Sequence, residues 1–146
     1  MKKLILVSIA SLLLSSTYAN AEWVKPTRSV CTSNGGKLAK GGICEANWQN
    51  AKNICQASGA RLPTIDELRK VITSCGGVVN ESSNNINDPD YQSCYQRRGF
   101  RDKDWYWSST EYNNNSSSAW GVNFNGGKGT WGSKSDQNYA LCVRGQ

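Results

Sequence analysis

Histidine is absent from the chain, and no two cysteines stand in a Cys-x-x-Cys spacing. Both absences count against zinc, whose usual ligand sets draw on one or the other. The missing imidazole also removes the commonest general base of enzyme sites. After Leu4–Leu14 there is no second long apolar run, so nothing later in the chain approaches the roughly 20 residues of a membrane-spanning helix. Nothing repeats at a solenoid period and no linker divides the chain, which leaves one domain.

What is present begins with a leader. Met1-Lys2-Lys3 is a basic start, Leu4–Leu14 is apolar, and Ala19-Asn20-Ala21 is a small-x-small cleavage site. The expectation is a signal peptide over 1–21 and a mature domain over 22–146, exported to the periplasm, the cell surface or the exterior. No cysteine directly follows the apolar run, which argues against a lipid anchor. The formal charge is +6, and loss of Lys2 and Lys3 leaves 6 − 2 = +4. That mild excess permits anionic partners without requiring them. With export, it argues against nucleic acid.

Six cysteines lie beyond the leader: Cys31, Cys44, Cys55, Cys75, Cys94 and Cys142. An even count behind a signal peptide implies three disulfides. A chain this short gains from such staples, because a small domain buries only about two-thirds of its unfolded surface.

Two helices are readable. Asn47 caps a segment reaching Ser58, with Trp48, Ala51, Ile54 and Cys55 on one face and Gly59 as its stop. Thr64 and Glu67 fit a capping box ahead of Leu68, Val71, Ile72 and Cys75, so a second helix runs to about Ser74. Arg61, Asp66, Glu67, Arg69 and Lys70 read as its solvated face and capping charges. The segment from Glu22 to Lys40 reads as turn-rich, and Gly35-Gly36 with Gly41-Gly42 would let the chain double back as a hairpin.

Gly76–Tyr95 is rich in Asn and Ser and reads as a long loop held by a staple. Asn84, Asn85, Asn87, Asp88 and Asp90 concentrate oxygen donors. Asn87, Asp88 and Asp90 are thus candidate calcium ligands, although the spacing is not that of an EF-hand and Asn-Asp-Pro-Asp is also turn chemistry. No other cofactor is expected. Next comes the one dense basic cluster, Arg97, Arg98, Arg101 and Lys103. Its arginine forks match carboxylate, sulfate or phosphate groups. The competing reading pairs these charges with Asp102 and Asp104.

From Trp105 onward, aromatic and β-branched runs alternate with Asn/Ser/Gly clusters, as in hairpins joined by polar loops. Trp120, Val122 and Phe124 share one face of a strand, and Asn125-Gly126-Gly127 supplies a turn. Tyr139–Arg144 reads as one further alternating strand. Trp107 and Trp120 are expected in the core, with Trp105 and Trp131 as exposed platforms. Tyr112, Asn113, Asn114, Asn115, Ser116, Ser117, Trp131, Lys134 and Asp136 fall on or near the connecting loops. Such residues on a rigid scaffold suit recognition.

Six cysteines admit fifteen pairings. Cys55 faces inward on the first helix and Cys142 sits in the last strand, so a bond between them would pin helix to sheet. The remainder then fall as Cys31–Cys44 and Cys75–Cys94.

Two helices, a stapled loop and hairpins ending in a strand bonded to the first helix look like a C-type-lectin-like fold, an α+β arrangement with two helices packed on short antiparallel sheets. Four motifs sharpen the likeness: Arg61-Leu62-Pro63-Thr64 with Glu67-Leu68; Tyr106-Trp107-Ser108-Ser109-Thr110; Ala119-Trp120 with Val122 and Phe124; and Tyr139 with Cys142-Val143-Arg144. In that order they resemble the Lcl C-terminal domain family, from about Trp48 to Arg144. Ala60 and Leu141 stand where the family commonly has Trp and Arg. The family takes its name from a collagen-like surface adhesin whose C-terminal domain is associated with sulfated polysaccharides. This chain has no Gly-x-y tract, so avidity from a collagen stalk is not expected. It also lacks the Glu-Pro-Asn, Gln-Pro-Asp and Trp-Asn-Asp motifs of calcium-dependent lectins.

The resulting expectation is a secreted binding module, adhesin-like, for a glycan or surface macromolecule, and not an enzyme. The alternatives are a structural subunit of a surface or periplasmic complex and an oxidase-like enzyme on a related fold.

Overall fold

The computed structural model describes residues 21–101 and 104–145; the expected leader, apart from Ala21, and the candidate Lys103 lie outside them. Among the described residues the order is β1 (Glu22–Val24), α1 (Arg28–Ser33), β2 (Lys37–Leu38), β3 (Cys44–Ala46), α2 (Trp48–Ala57), α3 (Ile65–Ser74), α4 (Ser82–Ile86), α5 (Pro89–Arg97), β4 (Trp105–Glu111), β5 (Ser118–Asn123), β6 (Lys128–Ser133), β7 (Asn138–Tyr139) and β8 (Cys142–Arg144). The fold is α+β. No described helix is long and apolar enough to cross a membrane.

Local chemistry starts the two central helices as read. The Asn47 side chain accepts from the Asn50 amide at the head of α2. At α3, Thr64 accepts from the Glu67 amide while Glu67 accepts from that of Thr64. The Glu67 carboxylate also takes both guanidinium nitrogens of Arg61, at 2.6 and 3.0 Å. That bond, above all, holds its pKa below the usual carboxylate value. The Arg61–Glu67 motif therefore builds the fold: Arg61 also bridges to Val143 and donates to the Gly145 carbonyl.

Six strands form one sheet in the order β2-β3-β7-β4-β5-β6, and β1 pairs with β8 in a separate ladder. All pairings are antiparallel except β4 with β7, which meet in parallel at Tyr106 and Tyr139. Both faces of the sheet are covered. Leu68 and Ile72 of α3 and Tyr91 and Tyr95 of α5 pack with Tyr106, Val122 and Phe124 on one face. Trp48, Ala51 and Ile54 of α2 pack with Trp107 and Ala119 on the other. Consecutive residues of β4, Tyr106 and Trp107, thus anchor opposite cores, as the two-residue period of a strand requires.

The three disulfides are Cys31–Cys44, Cys55–Cys142 and Cys75–Cys94. They tie α1 to β3, α2 to β8, and the end of α3 to α5.

Several expectations need correction. Among the described residues there are five helices, the two expected and three more. Thr27 caps the short α1 inside the stretch read as turn-rich. Gly76–Tyr95 is not one irregular loop but contains α4 and most of α5. Asp88 is the N-cap of α5 and Pro89 its first residue, an arrangement that favours helix as much as turn. Tyr139–Arg144 is two strands, since β7 pairs with β3 and β4 whereas β8 pairs with β1.

The tyrosines make the fold sensitive to alkali. Burial raises the Tyr91 and Tyr106 phenols above their ordinary range, and burial followed by a bond to Asp104 pushes Tyr139 up to about 12. In the unfolded chain these groups ionise near pH 10. Between that pH and the raised folded values the unfolded state binds fewer protons, so stability falls as pH rises. Denaturant melts should match at pH 7 and 9 and weaken from about pH 10 upward, each fully buried phenol contributing at most ~1.4 kcal/mol per pH unit. Tyr139 is the more exposed and contributes less. Unchanged stability at pH 11 would contradict the burial account.

Candidate binding face

The face of β5 that carries Val122 continues past the cover of α3 to Trp120. Its register partner on β6 is Trp131. Tyr112, just beyond β4, completes the group. Its ring stacks on Trp131 with centroids 4.5 Å apart and planes 9° apart. Trp120 meets both rings edge-on at 5.6 Å. Trp131 retains 49 % of its surface, a large share for so apolar a side chain. Arg69 reaches over from α3 with its guanidinium carbon 5.3 Å from the Trp120 centroid. Its ion partner is Asp66, at 3.5 Å. Gly129 of β6 lies beside it, a side-chain β-carbon there falling 3.5 Å from the Arg69 Nε, an ordinary contact.

The result is a triangle of rings with a cation over Trp120. A flat aromatic surface offers dispersion to the apolar C–H face of a sugar or to another ring. A guanidinium beside it adds a planar fork for carboxylate, sulfate or phosphate.

The loop over residues 112–117 shapes itself. Ser117 donates to the Asn115 side chain, Asn115 and Ser118 close backbone turns on Tyr112 and Asn115, and Asn114 reaches the Tyr112 hydroxyl at 3.4 Å. Asn113 makes no side-chain bond among the described residues and is exposed.

Not every sequence candidate joins this face. Lys134 belongs to the opposite side: its ammonium bonds Glu111 at 2.6 Å and the Ser116 carbonyl, and lies 4.2 Å from the Trp48 ring centroid. Lys52 approaches the same ring at 4.0 Å. The Lys134 bond holds the Glu111 carboxyl below its ordinary value. Trp105 is not an exposed platform either. It packs edge-on against Trp107 at 4.7 Å, lies where a Gly121 side chain would be, and has its indole nitrogen buried. Trp120 was expected in the core and is only half-buried.

The basic cluster is dispersed. Arg97 bonds Ser93 on its own helix and Arg98 bonds Ser74. Arg101 lines a separate cleft. Of the calcium candidates, Asp88 accepts the amides of Asp90 and Tyr91, Asn87 donates to the Ser83 carbonyl, and Asp90 is exposed. An ion at Asp88 would compete with the helix cap for the same carboxylate.

The structure brings the sequence candidates Tyr112 and Trp131 together with Trp120 and Arg69, which the sequence does not single out as candidates. Arg69 sits one helical turn after Asp66 in what reads as ordinary surface charge, and only the sheet beneath reveals its neighbour. Comparison with known proteins places the chain. A search of curated proteins finds no match. The profile of the Lcl C-terminal domain matches residues 16–144, nearly the whole sequence, and the chain therefore belongs to the Lcl C-terminal domain family.

Proposed function

We propose that this chain is an exported binding module of adhesin type, which takes a glycan or related surface polymer on the Tyr112–Trp120–Trp131 face with Arg69 at its edge. The observation that carries the reading is the exposed Trp131 ring, held rigid by stacking on Tyr112. Aromatic side chains fixed in this way give contact area at little entropic cost. The adhesin domain that names the family, associated with sulfated polysaccharides, points the same way, and Arg69 suits an anionic group. Export is supported by the leader sequence and by three disulfides, which persist in oxidising compartments. The first strand opens at Glu22, directly after the expected cleavage site. With all six cysteines in disulfides, an oxidase-like reaction has no thiol to use, which favours a binder over a catalyst. A C-type-lectin-like scaffold and independence from calcium complete the reading.

A role as a structural subunit draws on exposed Val78 and Ile86. Two aliphatic side chains fall short of the several hundred Å² expected of an interaction patch, so the binding reading is preferred.

The test uses the mature protein on an array of neutral and anionic glycans, with and without EDTA. Trp131→Ala should weaken saturable binding by about 30-fold or more, as for a central aromatic contact. Its melting temperature should change little, because the ring is half in solvent. Wild-type protein that bound nothing saturably, or a Trp131→Ala variant that bound as well, would remove this face from consideration.

A further inference from the structure

We propose a second site, an oxyanion cleft between the Gly41-Gly42 turn and the segment after α5, with Lys25 and Arg101 as its cations. A cavity of about 410 Å³ opens there, and Ile43 and Phe100, both buried, form its floor. The turn is built to receive the two side chains. Gly41 and Gly42 have φ of 88° and 79°, a region that side chains other than glycine's rarely enter. A β-carbon on Gly41 would fall 1.8 Å from Arg101 Nη1, and one on Gly42 would fall 3.3 Å from Lys25 Nζ. The guanidinium therefore lies directly on the Gly41 backbone, with the ammonium beside the next residue. Neither cation is ion-paired among the described residues.

Two like charges brought to adjacent residues repel unless an anion lies between them. Gln96 at the rim adds a neutral amide that can donate to it. An arginine fork and a lysine point charge together match a phosphate or carboxylate group. The Arg101 side chain could equally meet such a group on a free small molecule or on a polymer. The cleft shares no residue with the aromatic face and stands whether or not that face binds glycan.

The experiment is a titration of ¹⁵N-labelled mature protein, followed by two-dimensional NMR at low salt, with inorganic phosphate, citrate, glucose and glucose 6-phosphate. Phosphate and citrate should give saturable shifts centred on Gly41, Gly42, Gly99 and Arg101, with glucose silent. If glucose 6-phosphate binds more tightly than phosphate, the anion is carried on a larger ligand; if the two are equal, a free anion suffices. Arg101→Gln and Lys25→Gln, both at exposed positions, should keep the dispersed spectrum of the folded protein. Arg101→Gln should weaken binding about tenfold or more. Gly41→Ala is the steric control and should shift the same resonances without ligand. Non-saturable shifts spread over all lysines and arginines, or saturable shifts unchanged in Arg101→Gln, would overturn the site. Trp131→Ala, which tests the other face, should leave this titration unaltered.

Discussion

Replacing Cys55 and Cys142 together by alanine should cost about 4–5 kcal/mol of stability, more than removal of either other disulfide. Both residues are fully buried, and 87 positions separate them in sequence. In the chain-entropy account the worth of a crosslink grows with the logarithm of the loop it closes, which gives about 4.6 kcal/mol here. Loops of 19 and 13 residues give about 3.2 and 2.9 kcal/mol by the same relation. The Cys75–Cys94 bridge is nested inside the long loop and shortens it in the unfolded chain, but the logarithm reduces this to a few tenths of a kcal/mol. Position adds to length. Cys55 is on the inward side of α2 and Cys142 opens β8, the strand that pairs with β1 and meets Arg61 through Val143. Without the bond, the last strand is held to the helical half by those short ladders and by packing alone. The expected melting temperature drops by roughly 15 °C or more. Urea melts of the three double-alanine variants should rank in the order of loop length, and an equal loss from all three would refute the entropic explanation.

That crosslink was readable because each cysteine sat in a segment with a strong local signal. Cys55 follows a good cap and an apolar face, and Cys142 lies in an alternating run. Where stability comes from distant partners, the sequence is mute. Residues 82–86 are Ser-Ser-Asn-Asn-Ile, poor helix formers taken alone, yet they form α4. The helix exists because Asn85 has buried partners that no local pattern announces. Pro89 carried information that could be read two ways, and Asp88 before it was the cap. The aromatic face divided along the same line. Tyr112 and Trp131 stand out among polar loop residues, whereas Trp120 alternates with Val122 and Phe124 and so reads as core. It does lie on the core face. What the alternation cannot say is where α3 stops covering that face.

Asn85 is the point at which these hidden contacts converge, and its substitution should be the most damaging single polar change in the chain. It is 2 % exposed. Its side-chain oxygen accepts from the Val78 amide at 2.9 Å, and its nitrogen donates to the carbonyls of Val78 and Gly126 at 2.7 and 2.9 Å. Four successive carbonyls of the β5–β6 turn are satisfied from this region: Phe124 by the Tyr91 hydroxyl, Asn125 by Gln92, Gly126 by Asn85 and Gly127 by the Asn80 amide. Gly127 must be glycine for this, since a β-carbon there would sit 2.4 Å from the Asn85 nitrogen. The turn joins the strands that present Trp120 and Trp131, so Asn85 positions the aromatic face without touching it. Asn85→Ala leaves a buried amide and two carbonyls short of a partner, at about 1–3 kcal/mol for each group left unsatisfied, and a total loss near 3 kcal/mol is expected. Asn85→Asp keeps the shape but turns an oxygen toward two carbonyl oxygens. At neutral pH it should be at least as destabilising, because a buried carboxylate without a cation is added. Its folded-state pKa is then raised, so the Asp variant regains stability as pH falls through that raised value toward the ordinary carboxylate pKa and is free of the charge penalty below it, while the Ala variant does not change in this way. Paired melts at pH 7 and pH 4, each referred to wild type, distinguish the two. If the aspartate variant is as stable as wild type at pH 7, Asn85 does not hold the turn.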